Sequence, residues 1–128
     1  MAKLTIHIEG CRNDSGHVMC ALYADPADFP EPRSDDKVIA ATAAVHSGQA
    51  TALFPELTPG RYALAVIHDE NDNQRMDTNF LGMPKEGFVF GNDATRMGKP
   101  RFNECAVDVA DDESVRLRMH YMTRRGLR

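Results

Sequence analysis

The sequence predicts an all-β fold, an antiparallel sandwich of Greek-key type with about seven strands. Three observations point there. Apolar and polar residues alternate with a period of two over most of the chain, from Leu4, Ile6 and Ile8 at the start to Val115, Leu117, Met119 and Tyr121 near the end. Polar turn clusters separate these runs, and no run keeps a sustained helical period. Between them lies Phe54-Pro55-Glu56-Leu57-Thr58-Pro59-Gly60-Arg61-Tyr62, a corner in which Pro59-Gly60 turns the chain, Leu57 plugs the end of a core and the Tyr62 hydroxyl reaches back to the corner backbone.

Taken in order, Leu4, Ile6 and Ile8 oppose Thr5, His7 and Glu9 in a half-buried strand, and Arg12-Asn13-Asp14-Ser15-Gly16 is turn chemistry. Val18, Cys20 and Leu22 then alternate with Met19, Ala21 and Tyr23, so the first two strands are expected to pair as a hairpin. Ala24 to Asp36 holds three prolines, four aspartates and a glutamate around Phe29, an irregular excursion pinned by that one aromatic ring. Val38 to Val45 is alanine-rich and short enough to suit helix or strand, with strand preferred. Tyr62, Leu64, Val66 and His68 alternate with Ala63, Ala65 and Ile67, almost all apolar, which marks a central strand covered on both faces. Cys105, Val107 and Val109, then Asp111-Asp112-Glu113, then Val115 to Tyr121 read as a closing hairpin.

With 128 residues, 42% of them hydrophobic and 27% charged, the chain is expected to form one domain over residues 1–128, with a frayed tail at 123–128. The 15 Lys and Arg against 19 Asp and Glu give a formal charge of −4, which argues against nucleic acid as the main partner. Apolar runs are short, so no transmembrane segment and no signal peptide is expected in this chain, which leaves either a cytoplasmic protein or an exported one whose signal has been removed. Cys11, Cys20 and Cys105 lack metal-type spacing and read as structural, with a Cys20–Cys105 bridge open if the compartment is oxidising.

One stretch breaks the pattern. Residues 69–102 keep no period, yet Phe80, Leu81, Met83, Phe88, Val89 and Phe90 make them too apolar for disordered filler. With Gly82, Gly87, Gly91 and Gly98 to supply sharp turns, a long ordered loop is expected. Its opening, Asp69-Glu70-Asn71-Asp72-Asn73-Gln74-Arg75-Met76-Asp77, has the frame D-x-N-x-N-x-x-x-D. Side-chain oxygens of Asp69, Asn71, Asn73 and Asp77, with the Arg75 carbonyl, fall at the ligand positions of an EF-hand calcium loop, where alternate residues of a tight turn converge on a hard cation. Four acidic residues against one arginine repel one another, and a cation would relieve that. Gln74 stands where such loops prefer glycine, and Phe80 stands where they place a bidentate glutamate. Glu86, a water or a backbone carbonyl would complete the shell. The same residues also suit a plain Asx-rich turn without metal.

At these residues the chain resembles a bacterial family, domain-of-unknown-function family 2141. The resemblance runs from Leu4 to Tyr121 and rests on Phe54-x-x-Leu57-x-Pro59-Gly60-x-Tyr62, on His68-Asp69-Glu70-Asn71-x-Asn73-x-x-x-Asp77-Thr78-Asn79-Phe80-Leu81-Gly82-Met83-Pro84-Lys85-Glu86-Gly87, and on Phe90-Gly91-Asn92 and Pro100-x-Phe102. It implies a sandwich of transthyretin-like or immunoglobulin-like type, some relatives of which carry a calcium loop after a strand, and export to the periplasm or beyond. It implies no catalytic residue.

Two classes of function follow. In the first, the chain is a non-catalytic module that binds Ca²⁺ through Asp69, Asn71, Asn73, Arg75, Asp77 and Glu86 and presents a surface to a protein or polysaccharide of the cell envelope. A metal-free variant of it would use the basic end, where five of the 15 Lys and Arg lie between Arg116 and Arg128. In the second, it is a small transthyretin-like hydrolase with His7, His68 or His120 as base. The Tyr-Arg-Gly-Ser ending of the hydroxyisourate hydrolases is replaced here by Tyr121-Met122-Thr123-Arg124-Arg125-Gly126-Leu127-Arg128, and no G-x-S-x-G or H-E-x-x-H occurs. The expectation is therefore a protein that is not an enzyme.

Overall fold

A computed structural model describes residues 1–29, 38–69, 87–93 and 101–121. The chain forms strands β1 (Ala2–Glu9), β2 (His17–Tyr23), β3 (Val38–Ala44), β4 (Ala50–Leu57), β5 (Gly60–Asp69), β6 (Phe88–Phe90), β7 (Ala106–Val109) and β8 (Glu113–Arg118). They build a three-stranded sheet ordered β4-β1-β8 and a five-stranded sheet ordered β3-β2-β5-β6, in which β7 also pairs with β5. The all-β sandwich is as expected.

Alternation explains the core. Leu4, Ile6 and Ile8 of β1 and Val18, Cys20 and Leu22 of β2 turn inward from opposite sheets and meet Leu64, Val66, Val89 and Leu117 in one buried cluster. Each such aliphatic side chain contributes about 1.5–3 kcal/mol by leaving water. Leu57 is buried at the end of that core, and the Tyr62 hydroxyl donates to the Thr58 carbonyl, closing the corner as its spacing predicts.

β5 is central. β2 pairs along Ala63–Asp69 on one side, while β7 (against Gly60–Ala63) and β6 (against Ala65–Ile67) share the other. Its outer face is covered as well, by a second cluster of Ala21, Tyr23, Phe29, Ala63, Ala65, Phe88, Phe90 and Cys105. Phe29 is the hub there, with edge contacts to Tyr23, Phe90 and Phe102 at centroid distances of 5.0, 6.0 and 6.2 Å. The excursion after β2 is thus pinned by the ring the sequence singles out. The Tyr23 hydroxyl is buried in this cluster with no hydrogen-bond partner among the described residues, and burial pushes its pKa up to about 12.

Several local expectations are overturned. β1 and β2 do not form a hairpin. β1 pairs with β4 and β8, β2 with β3 and β5, and the segment between them arches from one sheet to the other. β7 and β8 likewise lie in different sheets, so no closing hairpin forms. Pairing is not wholly antiparallel either, because β8 runs parallel to β1, from Leu4↔Glu113 to Glu9↔Arg118. The physical reason is common to the two missing hairpins. Two alternating strands close in sequence can pair edge to edge or face each other across the core, and facing buries both apolar stripes.

The expected long loop, 69–102, contains regular structure among its described residues, namely β6, and a one-turn helix α1 (Phe102–Cys105) begins at its last residue, where Cys105 was expected to open a strand. A Cβ on Gly91 would lie 2.1 Å from the Cys105 carbonyl oxygen, so only glycine lets β6 pass that close to α1. Asn92 follows at φ 62°, and its amide donates to the carbonyls of Glu104 (3.2 Å) and Ala106 (2.9 Å), clamping α1 to the end of β6. All three cysteines are buried, and no disulfide joins any of them. Cys20 belongs to the core between the sheets and Cys105 to the outer cluster, so the Cys20–Cys105 bridge left open by the sequence is excluded by the sheet between them. Burial pushes the Cys20 thiol up to about 12.

Candidate functional site

The acidic segment begins at the last residue of β5, and the structure shows what holds that residue. Residues 68 and 69 point to opposite faces of the sheet, as strand geometry requires. His68 turns inward and Asp69 outward, and both are completely buried. Across the sheet Asp69 is the register partner of His17, the first residue of β2, and its Oδ2 lies 3.5 Å from His17 Nε2. The first residue of the predicted calcium frame is thereby fixed in position by a neighbouring strand.

His68 is anchored at both ring nitrogens. Nε2 lies 2.8 Å from the Ser15 carbonyl oxygen and Nδ1 2.8 Å from the Tyr121 hydroxyl. A carbonyl only accepts, so Nε2 carries the hydrogen, and the hydroxyl then donates to Nδ1. The Tyr121 oxygen in turn accepts from the Arg12 backbone N–H at 2.9 Å, while the Arg12 guanidinium sits over the Tyr121 ring, 4.6 Å from its centroid. A continuous chain of hydrogen bonds therefore ties the β1–β2 connection to the end of β5 and to the residues after β8. Backbone contacts complete the junction. The His68 N–H donates to the Gly87 carbonyl at 2.9 Å, and Phe88 and His120 exchange two bonds of 2.8 and 3.0 Å. Gly87 has no room for a side chain, since a Cβ would lie 2.5 Å from Tyr121 Cε2.

The β1–β2 connection is itself docked. Asp14 accepts from the backbone N–H groups of Ser47 and Gly48, each at 2.9 Å, and the Cys11 N–H donates to the Gly48 carbonyl at 3.0 Å. Ser47 and Gly48 both have positive φ, 54° and 77°, as a two-residue type I′ hairpin turn between β3 and β4 needs. The bond from Gly48, and then that from Ser47, holds the Asp14 carboxyl below the usual carboxylate range.

Of the residues expected to hold calcium, the structure places Asp69. Asn71, Asn73, Arg75, Asp77 and Glu86 lie outside the described residues. Among the described residues, no group of three or more His, Cys, Asp and Glu is arranged to hold a metal, and the His17–Asp69 pair is the nearest approach to one at this end. The three histidines considered as bases are accounted for separately. His68 is buried with both nitrogens bonded inside the protein, His7 Nδ1 lies 3.5 Å from Thr51 Oγ1, and the His120 ring stands edge-on to Phe88 at 5.4 Å. Arg116 and Arg118 stand on the exposed face of β8, 3.7 and 3.9 Å from the Glu9 carboxylate. No described helix is long and apolar enough to cross a membrane.

Sequence reasoning missed His17, Ser15, Arg12 and Tyr121 as parts of this junction. The signal for His17 is its register opposite Asp69, which stays hidden while β1 is taken as the partner of β2. Comparison with known proteins agrees with the motif reading: a family model described as an uncharacterised protein conserved in bacteria, DUF2141, matches residues 6–117. The comparisons with curated proteins and with solved structures return no match.

Proposed function

The chain belongs to the DUF2141 family of uncharacterised bacterial proteins, and from that membership we propose that it is a non-catalytic, exported binding module whose segment from Asp69 to Asp77 takes up one calcium ion. The observation that supports this reading is the state of Asp69. A carboxylate is costly to bury, and here one is completely buried at the end of the central strand, set beside His17, at position 1 of the D-x-N-x-N-x-x-x-D frame. In this reading Asp69, Asn71, Asn73 and Asp77 supply side-chain oxygens, Arg75 its carbonyl, and Glu86 completes the shell. The ion acts as a crosslink that offsets the ordering entropy of the segment, about 1–2 kcal/mol per residue. At millimolar extracellular calcium, a site with a Kd of about 10⁻⁴ M is mostly filled. The surface so ordered faces a protein or polysaccharide of the cell envelope.

Isothermal titration with calcium tests the reading directly. One site is expected, abolished by Asp77→Ala in a protein whose circular dichroism is unchanged, and abolished likewise by Asp69→Ala. Heat that is the same in the wild type and both variants overturns it.

A further inference from the structure

Of the strands that end the two sheets, β3 is unlike the rest. Exposed edges invite pairing with another chain, and proteins blunt them with charge, proline, shortness or cover. β4 carries Pro55 and Glu56, β8 carries Glu113, Arg116 and Arg118, β7 carries Asp108 in an ion pair with Arg61 (3.0 Å), and β6 has three residues and is bridged to His120. Among the described residues β3 shows none of these devices. It is Val38-Ile39-Ala40-Ala41-Thr42-Ala43-Ala44, with no charge, proline or glycine in seven residues. β2 supplies its backbone pairing along the whole length, and among the described residues no other backbone hydrogen bond reaches it. Ile39 is 41% exposed, and Ala40, Thr42 and Ala44 are exposed too. Beside the strand, the gap toward β4 is an open cleft of about 420 Å³ lined by Ala43, Ala44, His46, Gln49, Ala50 and Thr51.

We propose that β3 is the surface through which two copies of this chain pair, antiparallel about a two-fold axis at Ala41, joining their five-stranded sheets into one. The strand itself selects the occupant. In that register Val38 meets the second copy's Ala44, Ile39 its Ala43, and Ala40 its Thr42, while Ala41 meets its own copy. Every opposed pair contains an alanine, so neither face is overfilled, and no like charges oppose each other. With a charge of −4 on each chain, a self-contact is favoured where carboxylates are missing, and β3 is such a place. A single strand pair buries less than the area of a standard permanent interface, so the dimer is weak and concentration-dependent.

Sedimentation velocity over a wide concentration range tests this. The wild type should shift from monomer to dimer as concentration rises. Ala40→Lys with Thr42→Lys, at exposed positions, should weaken the dimer by about tenfold or more, because the new ammonium groups oppose each other across the two-fold. Ala40→Lys with Thr42→Glu should restore it, since opposite charges then face each other in the stated register. Hydrogen exchange on the unaltered protein provides a readout that needs no variant, with the β3 amides expected to gain protection in the dimer. A wild type that stays monomeric throughout overturns the proposal and leaves the edge to a strand from another protein. A dimer indifferent to the double lysine variant, or one that the Lys/Glu pair fails to restore, or one without protection at β3, overturns it as well.

Discussion

Asp14 shows how much one exposed side chain organises. Its carboxylate spans the N–H groups of Ser47 and Gly48 and so holds the β1–β2 connection against the β3–β4 turn. In the sequence it reads as turn chemistry only, because its partners lie more than thirty residues away. These bonds favour the charged form, so the folded pKa is depressed below the unfolded value. The stabilisation is then fully present above the ordinary carboxylate range and is lost as pH falls through the depressed folded pKa. Asp14→Asn is expected to melt at a lower temperature than the wild type near neutrality, with the gap closing in strong acid. Thermal melts of both proteins across pH check this, and a gap that persists in strong acid contradicts it. At the same scale, the neighbours His68 and Asp69 have divergent roles because strand geometry sends one into the junction and the other to the outer face.

Among elements, β5 was the most legible. Its near-continuous apolar run announced a strand with both faces covered, and the structure supplies β2, β6 and β7 at its sides and the Phe29 cluster over its outer face. β6 and α1 were not legible, since three and four residues are too few to carry a period. Gly91 was visible, but as a turn former, and Asn92 only as part of the family resemblance. In the structure Gly91 is there for room and Asn92 for its bonds to the carbonyls of Glu104 and Ala106. Gly91→Ala must push α1 off β6, because its Cβ would fall 2.1 Å from the Cys105 oxygen. A loss of about 1–3 kcal/mol is expected, measured as a lower urea midpoint with unchanged slope. A midpoint equal to the wild type contradicts so close an approach.

For the molecule as a whole, the junction at the end of β5 makes a prediction about cooperativity. It joins the β1–β2 connection, the end of β5, Gly87 and Tyr121. A cation held by the segment starting at Asp69 therefore stabilises the entire sandwich by mass action, not one loop alone. Calcium is expected to raise the melting temperature of the whole cooperative transition. EDTA is expected to lower it and to open the stretch from Asp69 to Phe102 to protease. A melting temperature indifferent to both would sink this linkage.

Alternation, turn residues and the Pro59-Gly60-Arg61-Tyr62 corner determined, without any structure, that the chain is all-β, which side chains form its core, and that its central strand runs into an acidic, Asx-rich sequence. These are local properties, set by which way successive side chains point. Tertiary structure alone decided which strands pair and which face each other, that β8 runs parallel to β1, and that His17, Ser15, Arg12 and Tyr121 converge on His68 and Asp69. A period of two marks the buried face of a strand but carries no information about its neighbour. The choice of neighbour rests on burying all the apolar faces together, which no segment can settle alone.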